Sequence, residues 1–285
     1  MSVTLVSTLV STLVAGMAAS VFGVASEPAA AAPETKDRPH VQFRIISEHK
    51  ELTPGSTEML GLVFTMEPHW HIYYKGAPGG GNPPSIDEST LPKGYTLGEI
   101  QWPAPKRYVA PGGIFDSVYD EEVTLLVPLN VPATAKPGEL AKIGVKLNWL
   151  ECADVCVFGK GEDSMSVPVG TPGGSPARSA DAAKIEKSRS SMPRAWPSDR
   201  ATAELKAGVL SIHVPGAARL EFYPGEECSD LESPSESTLS RSNSMTIRFT
   251  NANKNQVTVH GVVAIWTAKD GAPEYFVLKK SSSDQ

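Results

Sequence analysis

Cysteine is scarce in this chain, with three in 285 residues. That count excludes a disulfide-stapled scaffold and leaves one functional pair with a third thiol over. Positive charge is also short. The formal net charge is −6 and no basic run stands out, which argues against nucleic acid as a partner. Aromatic residues make up only 7% of the chain, and long stretches of helical period are missing. No phosphate-cradling glycine loop, dinucleotide fingerprint, Ser-His-Asp order or paired carboxylates are visible, so nucleotide chemistry and hydrolysis have no support. What the chain does hold is 24 Gly and 24 Pro among 40% hydrophobic residues. Turn formers in that number, set between apolar runs, point to short strands around a packed core.

The N-terminus has its own character. From Val3 to Ser26 every residue is apolar or small, and the first charge is Glu27. Val24-Ala25-Ser26 suits a signal peptidase, although no Lys or Arg precedes the apolar run. Its length also suits one membrane span of about 20 residues. Residues 1–26 are therefore expected to be a signal peptide or an N-terminal anchor, and residues 27–39 a linker. The rest is expected to be exported, in the periplasm or anchored facing it. Membrane contact follows only if the segment stays uncleaved.

Beyond the linker, apolar residues recur with period two. Val41, Phe43 and Ile45 form one such run; Leu125, Val127 and Leu129 another; Ile143, Val145, Leu147 and Trp149 the clearest. Gly76 to Pro84 is too rich in Gly and Pro for regular structure. Thr171 to Pro176 reads as a linker, Ser179 to Ser191 as one short helix, and alternation resumes from Glu204. The expected fold is all-β: an immunoglobulin-like antiparallel β-sandwich over 40–170, a helical linker over 171–200, and a second, smaller β domain over 201–285.

Cys152 and Cys156 lie between two strand patterns, at the end of a hairpin. A tight bend brings Cα atoms four residues apart into the range of about 4.4–6.8 Å that a disulfide needs. The loop closed is tiny, so such a bond adds little entropic stability. It suits opening and closing as well as it suits stapling, and metal binding stands behind both. Glu151 and Asp154 adjoin the pair in sequence and are expected to raise its thiol pKa values. Cys156, next to a glycine-rich bend, is expected to be the more accessible of the two.

The ordered motifs resemble the periplasmic N-terminal domain of DsbD/ScsB-type thiol:disulfide interchange proteins. They are Trp70-His71-Ile72-Tyr73-Tyr74-Lys75, a Gly-rich loop, Pro83-Pro84-Ser85-Ile86, Gly98 to Arg107, and Trp149-Leu150-x-Cys152-x-x-x-Cys156. The resemblance spans roughly residues 40–170, and a weaker one continues through Phe222-Tyr223-Pro224 and Gly261-Val262-Val263. It implies a thiol:disulfide oxidoreductase whose catalytic pair, Cys152 and Cys156, cycles between dithiol and disulfide without a cofactor. It also implies thioredoxin-like periplasmic partners. Trp70 and Tyr73 would form an aromatic wall, and Phe115 or Tyr119 would serve as a lid. Relatives often continue into a membrane domain that supplies electrons. This sequence stops at Gln285, so a separate membrane reductase is expected.

A different class of function is a non-catalytic β-sandwich binding module that handles copper. His69 and His71 share a face if extended, and with Cys152 and Cys156 they offer a soft N/S ligand set. The competing view places His71 at the sandwich rim in an aromatic position and leaves His69 in solvent. Cys228, among acidic neighbours in a polar loop, is expected to be incidental.

Overall fold

The computed structural model describes residues 39–250 and 256–282. The expected export segment and all but the last residue of the linker lie outside the described residues. The chain opens with β1 (Val41–Ser47), β2 (Thr57–Met66), β3 (His71–Tyr73), β4 (Ser85–Thr90) and β5 (Thr96–Leu97). Next come β6 (Lys106–Val109), β7 (Phe115–Asp120), β8 (Glu122–Asn130), β9 (Leu140–Cys152) and β10 (Cys156–Pro168). Helix α1 (Ala182–Ser190) separates these from β11 (Arg194–Ala195), β12 (Thr202–Lys206), β13 (Val209–His213) and β14 (Arg219–Pro224). The last elements are α2 (Pro234–Ser237), β15 (Leu239–Ser240), β16 (Ser244–Arg248), β17 (Thr258–Trp266) and β18 (Glu274–Ser281). Among the described residues, no helix is long and apolar enough to cross a membrane.

The first ten strands form two sheets, ordered β1-β2-β8-β5 and β10-β9-β3-β7-β6, with β4 pairing β9. Side-chain alternation explains how they close on each other. On β9, Ile143, Val145, Leu147 and Trp149 are buried in the shared core, so Asn148, Leu150 and Cys152 project from the opposite face. Trp149 is 1% exposed and meets Phe64 of the facing sheet edge-on at 5.2 Å, which ties the two layers together. On β8 the alternation breaks, because Leu126 is buried as fully as Leu125 and Val127. Helix α1 is the cause. Its Ile185 packs with Ile46, Val63 and Leu126 on the outer face of that sheet.

The remaining strands form sheets ordered β11-β18-β17-β14-β15 and β12-β13-β16 around a second core. The five-stranded sheet is buried on both faces. Phe222, Val263 and Ile265 enter the second core, whereas Tyr223, Val262 and Ala264 pack into the first. That two-sided burial accounts for the unbroken apolar run Val262–Ile265.

Candidate functional site

Strands β9 and β10 form a hairpin in perfect register from Leu140↔Pro168 up to Cys152↔Cys156. The two cysteines are therefore directly opposite at its tip, bonded to each other with Cα atoms 4.1 Å apart. Ala153, Asp154 and Val155 close the turn, held by a hydrogen bond from Ala153 N to the Val155 carbonyl at 3.1 Å. The two sulfur-bearing residues are not equivalent. Cys152 is 1% exposed, whereas Cys156 faces solvent. Beside Cys156 the hairpin leaves Val155, Val157 and Phe158 uncovered, Phe158 at 77% exposure.

The disulfide sits on the outer face of its sheet. Tyr73, Val118 and Cys152 form a small buried cluster there, with Ala77, Tyr108 and Leu150 packed against it. The Tyr73 hydroxyl donates to Cys152 Sγ at 3.0 Å and lies 3.7 Å from Cys156 Sγ. Burial, seconded by Asp116 and Tyr108, pushes the Tyr73 phenol up to about 12, so it stays a donor at neutral pH. The glycine-rich loop lies flat on this ring. A Cβ on Gly81 would come within 2.1 Å of Tyr73 Cδ1, so only glycine fits there. Gly79 N anchors the loop by donating to Asp116 Oδ1 at 2.9 Å, and burial raises the pKa of that carboxyl.

The remaining residues singled out by sequence fall into place unevenly. Trp70 stacks on His40 at 3.7 Å and lines a cleft of about 1050 Å³ that also touches Ala153 and Asp154. Phe115 and Tyr119 do not cover the disulfide. Alternation along β7 turns both into the main core, opposite to Val118, and the Tyr119 hydroxyl donates to the Pro103 carbonyl at 2.5 Å. The groups packed against the Tyr73–Val118–Cys152 cluster are instead Tyr108, Leu150 and Ala77 of the 76–82 loop. Sequence carried a signal for the loop in its glycines, but none for Tyr108. Glu151 also departs from expectation. It is 2% exposed on the core side, accepting from Trp149 Nε1 at 2.8 Å and His40 N at 3.2 Å, and so faces away from Cys152.

The two histidines part as well. His69 has φ +73° in the turn before β3 and is exposed, whereas His71 is 4% exposed. The turn breaks the extended geometry on which a shared face depended. Among the described residues, no three His, Cys, Asp or Glu side chains are placed to share a metal ion. Cys228 lies in the acidic loop after β14, partly buried against the second core, and burial, seconded by Asp230, pushes its thiol up to about 11.

A solvent-reachable cystine on one face of a β-sandwich is open to attack by an outside thiolate, the chemical requirement for thiol–disulfide exchange. Residues 42–168 match the family described as thiol:disulfide interchange protein DsbD, N-terminal, so this segment is similar to a DsbD-type N-terminal domain. The fold of the described residues is similar to the N-terminal periplasmic domain of ScsB from Proteus mirabilis. The two share 17% identity at a TM-score of 0.56, over 86% of this chain and 94% of that one. The major pilin subunit BcpA of Bacillus cereus aligns at 12% identity and a TM-score of 0.27, over 86% of this chain and 67% of its own. No curated protein matches the chain.

Proposed function

We propose that the chain is an exported relay that passes electron pairs between a membrane reductase and thioredoxin-like partners in the periplasm, through Cys152 and Cys156. The observation that carries this reading is the asymmetry of the pair: one sulfur open to solvent, the other buried against a tyrosine hydroxyl. Exchange needs one reachable sulfur to form a mixed disulfide and one sheltered sulfur to resolve it. Cys156 is the entry point and Cys152 the resolving residue. The uncovered Val155, Val157 and Phe158 give a partner an apolar rim to settle on around the exposed sulfur.

Two measurements test this on the full chain. A Cys152→Ala variant leaves Cys156 unable to close its disulfide and should accumulate a mixed disulfide with a thioredoxin-fold dithiol protein. Absence of any trapped adduct counts against the relay. A glutathione titration of the native pair should place its potential between about −120 and −270 mV, the span of exchange proteins. A value below about −300 mV would mark a fixed structural bridge instead.

A further inference from the structure

Strand register aligns more than the two cysteines. Asp120 of β7 is directly opposite His71 of β3, His71 is opposite Cys152 of β9, and Cys152 is opposite Cys156 of β10. Four residues thus form one row across four adjacent strands, all on the outer face. Directly opposed side chains have Cβ atoms about 4.5–5.5 Å apart. The row therefore reads carboxylate, imidazole, sheltered sulfur, open sulfur. The imidazole is fixed by its neighbours, with Tyr73 edge-on at 5.3 Å and Tyr108 tilted at 4.5 Å. Yet its Nε2 is buried and has no hydrogen-bond partner. A buried polar nitrogen normally finds one, so this atom is held for something the resting disulfide does not display. His71 also lines the cleft that reaches the hairpin turn.

We propose that His71 is the proton acceptor for Cys152 in the resolving step, with Asp120 as the residue that positions and supports it. This rests on the exchange reading of the pair given above. In the reduced chain, the Cys156 thiolate attacks one sulfur of a partner disulfide, and the other partner sulfur leaves with the electron pair. Cys152 then gives its proton to the lone pair of the imidazole as its sulfur attacks Cys156 Sγ. The mixed disulfide breaks, and the partner's remaining sulfur departs as a thiolate and collects the proton. The chain dithiol has become a disulfide and the partner disulfide a dithiol.

The surroundings suit that task. Burial lowers the His71 pKa and keeps the ring neutral, while Asp120, itself paired with Lys106 of β6, acts in the raising direction. Tyr73, Tyr108 and Cys152 are the other titratable groups facing it. Glu67, His69, Glu121 and Asp154 line the mouth of the cleft.

The test uses the reduced full chain and dithiobis(nitrobenzoate), a small aromatic disulfide that needs no protein partner. Two nitrothiobenzoate ions leave per dithiol, the first on attack by Cys156 and the second when Cys152 resolves. In the native chain the second release should follow a titration on the acid side of about pH 6.5, the ordinary imidazole value. His71→Phe, which keeps an aromatic ring against Tyr108, should slow that release about a hundredfold at pH 7 and abolish the inflection. His71→Gln should do the same. Asp120→Asn should move the inflection to lower pH, and His69→Asn should change nothing. A native second release that rises only with thiol ionisation above about pH 8 overturns the proposal whether or not the variants fold. So does a His71→Phe profile that superimposes on the native one. Failure to trap a thioredoxin-fold partner, with these profiles as expected, sinks the relay reading alone.

Discussion

Tyr73 is the side chain on which the chemistry of the sheltered sulfur turns. Its hydroxyl already touches Cys152 in the disulfide, and a hydrogen bond to a charged group is worth about 1.5–3 kcal/mol. Reduction puts the charge on Cys156, whose sulfur lies 3.7 Å from the same hydroxyl, so the contact favours the reduced pair and raises its potential. Tyr73→Phe should lower the potential by about 30 mV or more, since about 1.4 kcal/mol corresponds to 30 mV for a two-electron couple. A glutathione titration of the variant beside the native chain reads the shift directly. At this scale the sequence was informative about residue types and less so about neighbours. The CxxxC spacing and the Trp70-His71-Ile72-Tyr73-Tyr74-Lys75 stretch were in plain view. That Glu151 faces away from the sulfur while His71 stands beside it depends on two strands meeting in one register, which local sequence does not state.

Among the elements, the 76–82 loop packs on the site through Ala77 and through Gly81 against Tyr73. It has almost no side chains to pack and works by lying flat on Tyr73. Gly81→Ala should force it away. We expect a loss of about 1–3 kcal/mol in stability from the overpacked contact, seen as a lower urea midpoint at unchanged slope. Reduction by dithiothreitol should become several-fold faster at the same time. A destabilised variant with an unchanged reduction rate would show that the loop does not guard the sulfur. The hairpin strands were legible from their period of two, because a sheet with one buried face writes its pleat into the sequence. Strands buried on both faces, such as β8 under α1, blur that signal, since each face is apolar for a different reason.

Across the whole molecule, the five-stranded sheet gives one face to each core. Arg107 of β6 adds a polar tie, donating to Thr238 Oγ1 at 2.7 Å and to the Ser235 carbonyl, with its guanidinium 4.3 Å above the Phe115 ring. Losing either half would expose apolar surface of the other. Thermal unfolding followed by calorimetry should therefore show one transition with matching calorimetric and van't Hoff enthalpies. Two resolved transitions would mean that the shared sheet does not couple the halves. Sequence suggested two blocks of strands, and the apolar run Val262–Ile265 was the available hint that they lean on each other.

The unequal exposure of the two sulfurs has a consequence for traffic. In the proposed relay, a donor and an acceptor of electrons both come to Cys156, because Cys152 offers no surface to a second protein. The module is a single-berth ferry: it cannot load from one side while unloading on the other. Throughput is then set by how quickly one visitor leaves for the next, and an excess of either partner slows the other by occupying the berth.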